Sequence, residues 1–122
     1  MTTTEIANRL VELCRKGDFT ACYEELYSPS IQSVEADGSS VTGLDGIAAK
    51  GKEWNAGIQE WHGAEIGDAI VSGNWFSLPM SMTLTRKGET EPSVFEEVCV
   101  YQVKDGKVVR EQFFYDAPST AG

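Results

Sequence analysis

Apolar residues recur at helical spacing in the first part of the chain and at every second position in the last half. Ile6, Leu10, Leu13 and Cys14 share one stripe, and Thr2 with Glu5 three residues on has the form of a capping box. Gly17 suits the left-handed position after that helix. Asp18 then caps a second helix whose stripe is Phe19, Cys22, Tyr23, Leu26 and Tyr27, ended by Pro29. Ser30–Ala36 alternates as a strand, with Ile31, Ser33 and Glu35 on one side. Asp37-Gly38-Ser39-Ser40 reads as a loop. Asp45 starts a third helix, along which Ile47, Gly51, Trp54, Ile58 and Trp61 recur at steps of four and three. From residue 63 the period becomes two, giving strands at Ala64–Ser72, Trp75–Arg86, Pro92–Lys104 and Lys107–Tyr115, with short turns between them.

The expected fold is therefore α+β: three N-terminal helices packed on a strongly curved, mostly antiparallel sheet. One domain over residues 1–116 suffices for 122 residues, and Ala117–Gly122 is a flexible tail. A curved sheet over helices has an open end, which is a natural small-molecule pocket.

Charge narrows the partners. Ten Lys and Arg stand against 19 Asp and Glu, a net charge of −9. That disfavours nucleic acid and anionic membrane surfaces, both of which need clustered cations. No apolar run approaches the roughly 20 residues of a membrane span. The three cysteines, Cys14, Cys22 and Cys99, show no paired spacing, which fits a cytoplasmic location. With one histidine, His62, no zinc ligand set can be assembled, so no metal and no cofactor are expected.

The last hairpin brings carboxyl groups together. Lys104-Asp105-Gly106 fits a three-residue loop, in which Val103 faces Lys107, Tyr101 faces Val109, Cys99 faces Glu111, Glu97 faces Phe113 and Phe95 faces Tyr115. The odd-numbered side chains then form the concave face, and Glu97 and Glu111 are diagonal neighbours on it. Burial and mutual proximity raise carboxyl pKa values, so one of them can hold a proton near neutrality. Glu35 opens onto the same hollow. Glu35, Glu97 and Glu111 are thus the candidate acid/base residues. All three also have a plain structural reading, for Glu97 a pairing with Arg110 or a cap on a backbone group at the barrel mouth, and for Glu111 a salt bridge to a lysine such as Lys50 or Lys52. Trp54, Met80, Met82 and Phe113 are candidate pocket walls. Tyr23, Tyr101 and Tyr115 can present hydroxyls, Cys99 lies among them without a stabilised thiolate, and His62 sits at a helix-to-strand corner, as hinge or rim.

The order of elements, the stretch Tyr27–Ala36 ahead of Gly43-Leu44-Asp45-Gly46-Ile47, and the hairpin Val103–Asp116 resemble the SnoaL-like branch of the nuclear transport factor 2-like superfamily. Ketosteroid isomerases, polyketide cyclases and limonene epoxide hydrolase belong to that superfamily, and the resemblance covers about residues 4–116. It implies a conical barrel. It also implies a general base at or beside Glu35, on the strand after the second helix. The positions of the isomerases' catalytic tyrosine and protonated aspartate align with Leu10 and Cys99, and the hydrolase aspartate aligns with Phe113, so the family's donors are not reproduced. Two functions are consistent with this pattern. One is a cofactor-independent isomerase, cyclase or dehydratase acting on a small apolar carbonyl compound. The alternative is a non-catalytic ligand-binding or dimerisation module. An outer sheet face carrying Val98, Val100, Val108 and Phe114 is too apolar for water, and its expected cover is a second copy of the chain in a homodimer.

Overall fold

The computed structural model describes residues 1–116; the tail expected at 117–122 lies outside the described residues. Among them are three helices and seven strands in the order α1 (Thr3–Arg15), α2 (Phe19–Leu26), β1 (Tyr27–Val34), β2 (Ser40–Thr42), α3 (Leu44–Ala56), β3 (Ile58–Ile66), β4 (Ile70–Ser72), β5 (Trp75–Arg86), β6 (Ser93–Lys104) and β7 (Lys107–Phe114). The α+β expectation holds. The sheet order is β2-β1-β7-β6-β5-β3, with β4 added on β5; only β1 and β7 run parallel.

Local chemistry explains the helices. Thr2 accepts from the Glu5 amide at 3.1 Å while Glu5 accepts from the Thr2 amide at 2.8 Å, the reciprocal cap read from the sequence. Asp18 accepts from the Ala21 amide at 3.2 Å and starts α2. The apolar stripe of α1 and that of α2 pack on the concave face of the sheet, where Phe76 and Leu78 of β5 are fully buried. Burying each such side chain contributes about 1.5–3 kcal/mol.

Several boundaries differ from the sequence reading. Tyr27 belongs to β1, not to α2, and β1 contains Pro29. Proline offers no N–H to the ladder, and the β1–β7 register shifts between Tyr27 and Gln32, around it. Ser40–Thr42 is a short strand on β1 rather than a loop. α3 starts at Leu44, with Gly43 rather than Asp45 at its N-cap, and ends at Ala56. Ile58 and Trp61 follow helical spacing but pair with Arg86 and Leu84 of β5. Sheet pairing with a twelve-residue neighbour outweighs that coincidence of period. His62 consequently lies within β3, not at a corner. The single strand expected over Ala64–Ser72 is two strands. Gly67 separates them, donating its N–H to Pro79 O at 2.9 Å so closely that a Cβ there would come 2.4 Å from the Pro79 ring.

The final hairpin carries the most consequential difference. Asp105 and Gly106 both have positive φ (52° and 74°), forming a two-residue turn with Lys104 opposite Lys107. A two-residue turn alone would invert the faces. A bulge between Gln102 and Val103 inserts one extra residue on β7, and beyond it Tyr101 faces Glu111 and Cys99 faces Phe113. The odd residues therefore still point inward, but partners are displaced by two. Cys99 does not face Glu111, Glu97 does not face Phe113, and Glu97 and Glu111 are not diagonal neighbours. Val108 turns into the core, where it is fully buried, instead of lying on the outer face.

Candidate functional site

The parallel pairing of β1 with β7 sets Ser33 directly opposite Glu111. Both are buried, Glu111 keeping 3 % of its surface. Ser33 Oγ donates to Glu111 Oε1 at 2.8 Å, and the Tyr27 hydroxyl donates to Oε2. Burial pushes the Glu111 carboxyl above its usual range; the two hydroxyls and the Lys50 ammonium pull it back, and Glu35 pushes it further up. The fully buried Tyr27 hydroxyl is raised well above its ordinary value by the same desolvation and by Glu111.

Lys50 of α3 links this pair to the solvent side. Its ammonium donates to Ser33 Oγ at 2.6 Å, forms an ion pair with Glu35, and lies 4.6 Å from the centre of the Phe113 ring. Glu35 follows the end of β1, and its other oxygen accepts from the Tyr115 hydroxyl at 3.0 Å. Burial and Glu35 push the Tyr115 hydroxyl up to about 12. The side chains of Lys50 and Glu35 retain 29 % and 25 % of their surface. A continuous polar chain thus runs from Tyr27 through Glu111, Ser33, Lys50 and Glu35 to Tyr115.

Glu97 differs. It lies on β6 opposite Met80, half-buried, and its hydrogen bond is the weak one from the Cys99 thiol at 3.4 Å. Arg110, its suggested structural partner, instead donates to Gln32 and Gln112. Desolvation, together with Glu35 and Glu111, pushes the Glu97 carboxyl up to about 7 against the lowering effect of Cys99 and Lys50. The same burial raises the Cys99 thiol, so no thiolate forms there. A depression of about 820 Å³ reaches Glu97, bounded by Ile66, Pro79, Met80, Phe114 and Tyr115. A second, of about 500 Å³, lies between α1 and the β3–β4 link. Its charged side chains are paired within it, Arg15 with Asp68 and Lys16 with Glu12.

The other sequence candidates divide. Trp54, Phe95 and Tyr115 form an aromatic row, with ring centres 5.4 and 5.0 Å apart, and Arg86 covers Trp54 at 5.5 Å. Met82 faces Phe95 across the β5–β6 pair. Tyr101 is core, stacked 4.7 Å from Phe76, and Tyr23 packs against Tyr27 at 5.1 Å. His62 is exposed on β3, with Nε2 2.9 Å from Thr85 Oγ1. Among the described residues no three His, Cys, Asp or Glu side chains converge as a metal site.

Sequence reasoning treated Lys50 only as a structural partner and left out Ser33 and Tyr27. A signal for Lys50 was present: it shares the stripe of Ile47, Gly51 and Trp54, where a lysine points inward. Ser33 falls on the inward set of its strand between Ile31 and Glu35. Tyr27 was hidden by its assignment to α2.

No curated protein matches the sequence. Similar solved structures do. A candidate SnoaL-like polyketide cyclase (also described as a carbohydrate phosphatase) from Mesorhizobium loti is 31 % identical, aligns over 94 % of this chain and 100 % of its own, and has a TM-score of 0.87. A Catenulispora acidiphila protein with a ketosteroid isomerase-like fold, in complex with trimethylamine, is 20 % identical over 94 % and 88 %, with a TM-score of 0.74. TerC, co-crystallised with polyporic acid, is 16 % identical over 93 % and 91 %, with a TM-score of 0.76. The family model of the SnoaL-like domain matches residues 1–115. With the cone of helices and curved sheet, this match establishes that the chain belongs to the SnoaL-like domain family.

Proposed function

We propose that this chain binds a small apolar carbonyl compound at the open end of its cone and catalyses cofactor-independent acid/base chemistry there: isomerisation, aldol-type cyclisation or dehydration. The observation that carries this reading is the contrast in partners between two half-buried carboxyls that act on one another: Glu97 lines the depression, and Glu35 stands beside it, hydrogen-bonded to Tyr115 of the same lining. Glu35 is held in place by the Lys50 ammonium and the Tyr115 hydroxyl, a fixed position that suits a general base. Glu97 lacks a charged or hydroxyl partner among the described side chains and titrates near neutrality, which suits a general acid. In the first step the α C–H bond of the substrate breaks and its proton passes to Glu35, while the carbonyl oxygen takes the Glu97 proton and an enol forms. Return of a proton to a different carbon completes an isomerisation; attack of the enol carbon on a second carbonyl completes a cyclisation. Glu111, with both oxygens occupied, holds Ser33 and thereby Lys50 in place.

The relatives support a small-molecule site, since one holds polyporic acid and another trimethylamine. The second reading, a non-catalytic binding or dimerisation module, is favoured by Leu10, Cys99 and Phe113 at the positions of the family's donors. Deuterium uptake α to the carbonyl, followed by NMR across a panel of 1,3-diketones and cyclic enones, separates them. Exchange above the buffer rate that drops at least about tenfold in Glu35→Gln supports catalysis. Ligand-induced stabilisation with no exchange supports the module.

We also infer a homodimer. Val94, Val98 and Phe114 on the outer sheet face keep 59, 45 and 48 % of their surface. A second copy covering them removes that area from water. The buried thiols of Cys14 and Cys22 lie 3.9 Å apart and share a hydrogen bond; we infer a cytoplasmic location from the unpaired spacing of the cysteines in the sequence. No helix among the described residues is long and apolar enough to cross a membrane.

A further inference from the structure

We propose that Lys50 is the electrophile of this site: while two of its ammonium protons hold Ser33 and Glu35, the third binds the substrate oxygen on which negative charge develops. The inference rests on the acid/base reading above and names the residue that completes it. An enol-forming reaction needs a donor aimed at that oxygen. The positions where the family resemblance expects such donors hold Leu10 and Cys99, which are fully buried; leucine cannot donate and a thiol donates weakly.

Lys50 meets the geometric requirement from a different element. It has three N–H donors. One is used on Ser33 Oγ and one on Glu35, and the Phe113 ring lies under the ammonium at 4.6 Å. Those three contacts fix the nitrogen, so binding an oxygen costs little further ordering of a side chain that is otherwise flexible. The same ammonium touches the proposed base and acts electrostatically on Glu97, the proposed acid. Lys50 thus touches the proposed proton acceptor, and both act on the proposed donor. Because 29 % of the Lys50 side chain stays accessible, a ligand can reach it without unfolding α3.

The charge balance sets the pH behaviour. The groups that act on Glu97 are Cys99 on its own strand, Glu35 after β1, Glu111 on β7 and Lys50 on α3; Tyr23 of α2 feels its charge. With Glu97 protonated, Lys50 and Glu35 cancel and an anionic oxygen is accepted. With Glu97 ionised, it opposes one.

The test uses 2,4-dinitrophenol, which is already a phenolate at pH 6 and so mimics an enolate across the range tested, and 1,3-dinitrobenzene as the uncharged comparator, titrated by quenching of tryptophan fluorescence near pH 6. The wild-type chain is expected to prefer the phenolate to dinitrobenzene. Lys50→Met should lose at least tenfold in phenolate affinity, Lys50→Arg should recover most of it, and dinitrobenzene binding should stay unchanged in both, which also reports an intact fold. Raising the pH through about 7 should weaken phenolate binding, and Glu97→Gln should remove that dependence. A wild-type chain without phenolate preference, or a Lys50→Met variant within twofold of wild type, overturns the assignment. Phenolate binding needs no turnover, so such a result leaves the Glu35 exchange test standing, and failure of that exchange test leaves this one intact.

Discussion

Along the β5–β6 pair the two ends of the cone are built from the same alternation and become chemically opposite. At the closed end Phe76 faces Tyr101 and Leu78 faces Cys99, all fully buried. At the open end Met80 faces Glu97 and Met82 faces Phe95, and the β6 residues are only half-buried. The helices account for the difference. α1 and α2 bring Ile6, Leu10, Leu26 and Cys22 onto the closed end, whereas α3 brings Trp54 and Lys50 toward Phe95 and Phe113. One end invests its inward positions in packing. The other leaves carboxyls, an ammonium and aromatic faces within reach of a ligand.

The largest test of that contrast is truncation of one aromatic at each end. Phe76→Ala removes a fully buried ring stacked on Tyr101 and should cost about 3–5 kcal/mol in denaturant unfolding. Phe95→Ala removes a half-buried ring and should cost about half as much, while changing ligand binding. Equal losses would mean the open end is packed as core.

The two ends were unequally legible in the sequence. The closed end rests on the strict alternation of β5 and on two capped helices, signals that local chemistry states plainly. The inward direction of Glu97 and Glu111 was legible for the same reason, since parity survives a displacement of two residues. Their mutual placement was not. The hairpin sequence fits either a three-residue loop or a two-residue turn with a bulge, and long-range pairing with β1 and β5 decides between them. Lys50 was legible only as a salt-bridge partner for Glu111, because its link through Ser33 and its pairing with Glu35 depend on how α3 packs on β1.

A smaller effect separates the ends by pH. The Glu97 carboxyl is raised to about 7 from the 4.5 of an unfolded chain. Below about 4.5 both states are protonated, and the folded chain keeps its full stability. As the pH rises from there to about 7, the unfolded chain releases its proton while the folded one retains it, so stability falls over that window. The loss should be on the order of 2 kcal/mol, less than complete linkage because the half-buried carboxyl still meets water. Urea midpoints across pH 4–8 should show a decline that Glu97→Gln flattens. A slope unchanged by that substitution would assign the titration elsewhere, with Glu111 next in line.

The finest comparison deletes one hydroxyl at each depth. The Tyr27 hydroxyl donates to a carboxyl with almost no access to water, and Tyr115 donates to one that keeps 25 % of its side-chain surface. In Tyr27→Phe, Glu111 Oε2 loses its donor where no solvent can replace it, an expected cost of about 1–2 kcal/mol. Removing that donor also pushes the Glu111 carboxyl further up, because the tyrosine hydroxyl is the strongest influence holding it down. In Tyr115→Phe, water takes over the vacated oxygen of Glu35, and stability should change by about 0.5 kcal/mol or less. The lost hydrogen bond instead frees the Glu35 carboxylate to move, so its consequence belongs in the exchange rate and not in the unfolding curve. If Tyr115→Phe destabilised as much as Tyr27→Phe, the outer half of the polar chain would be structural, and the open end would lose its claim to chemistry.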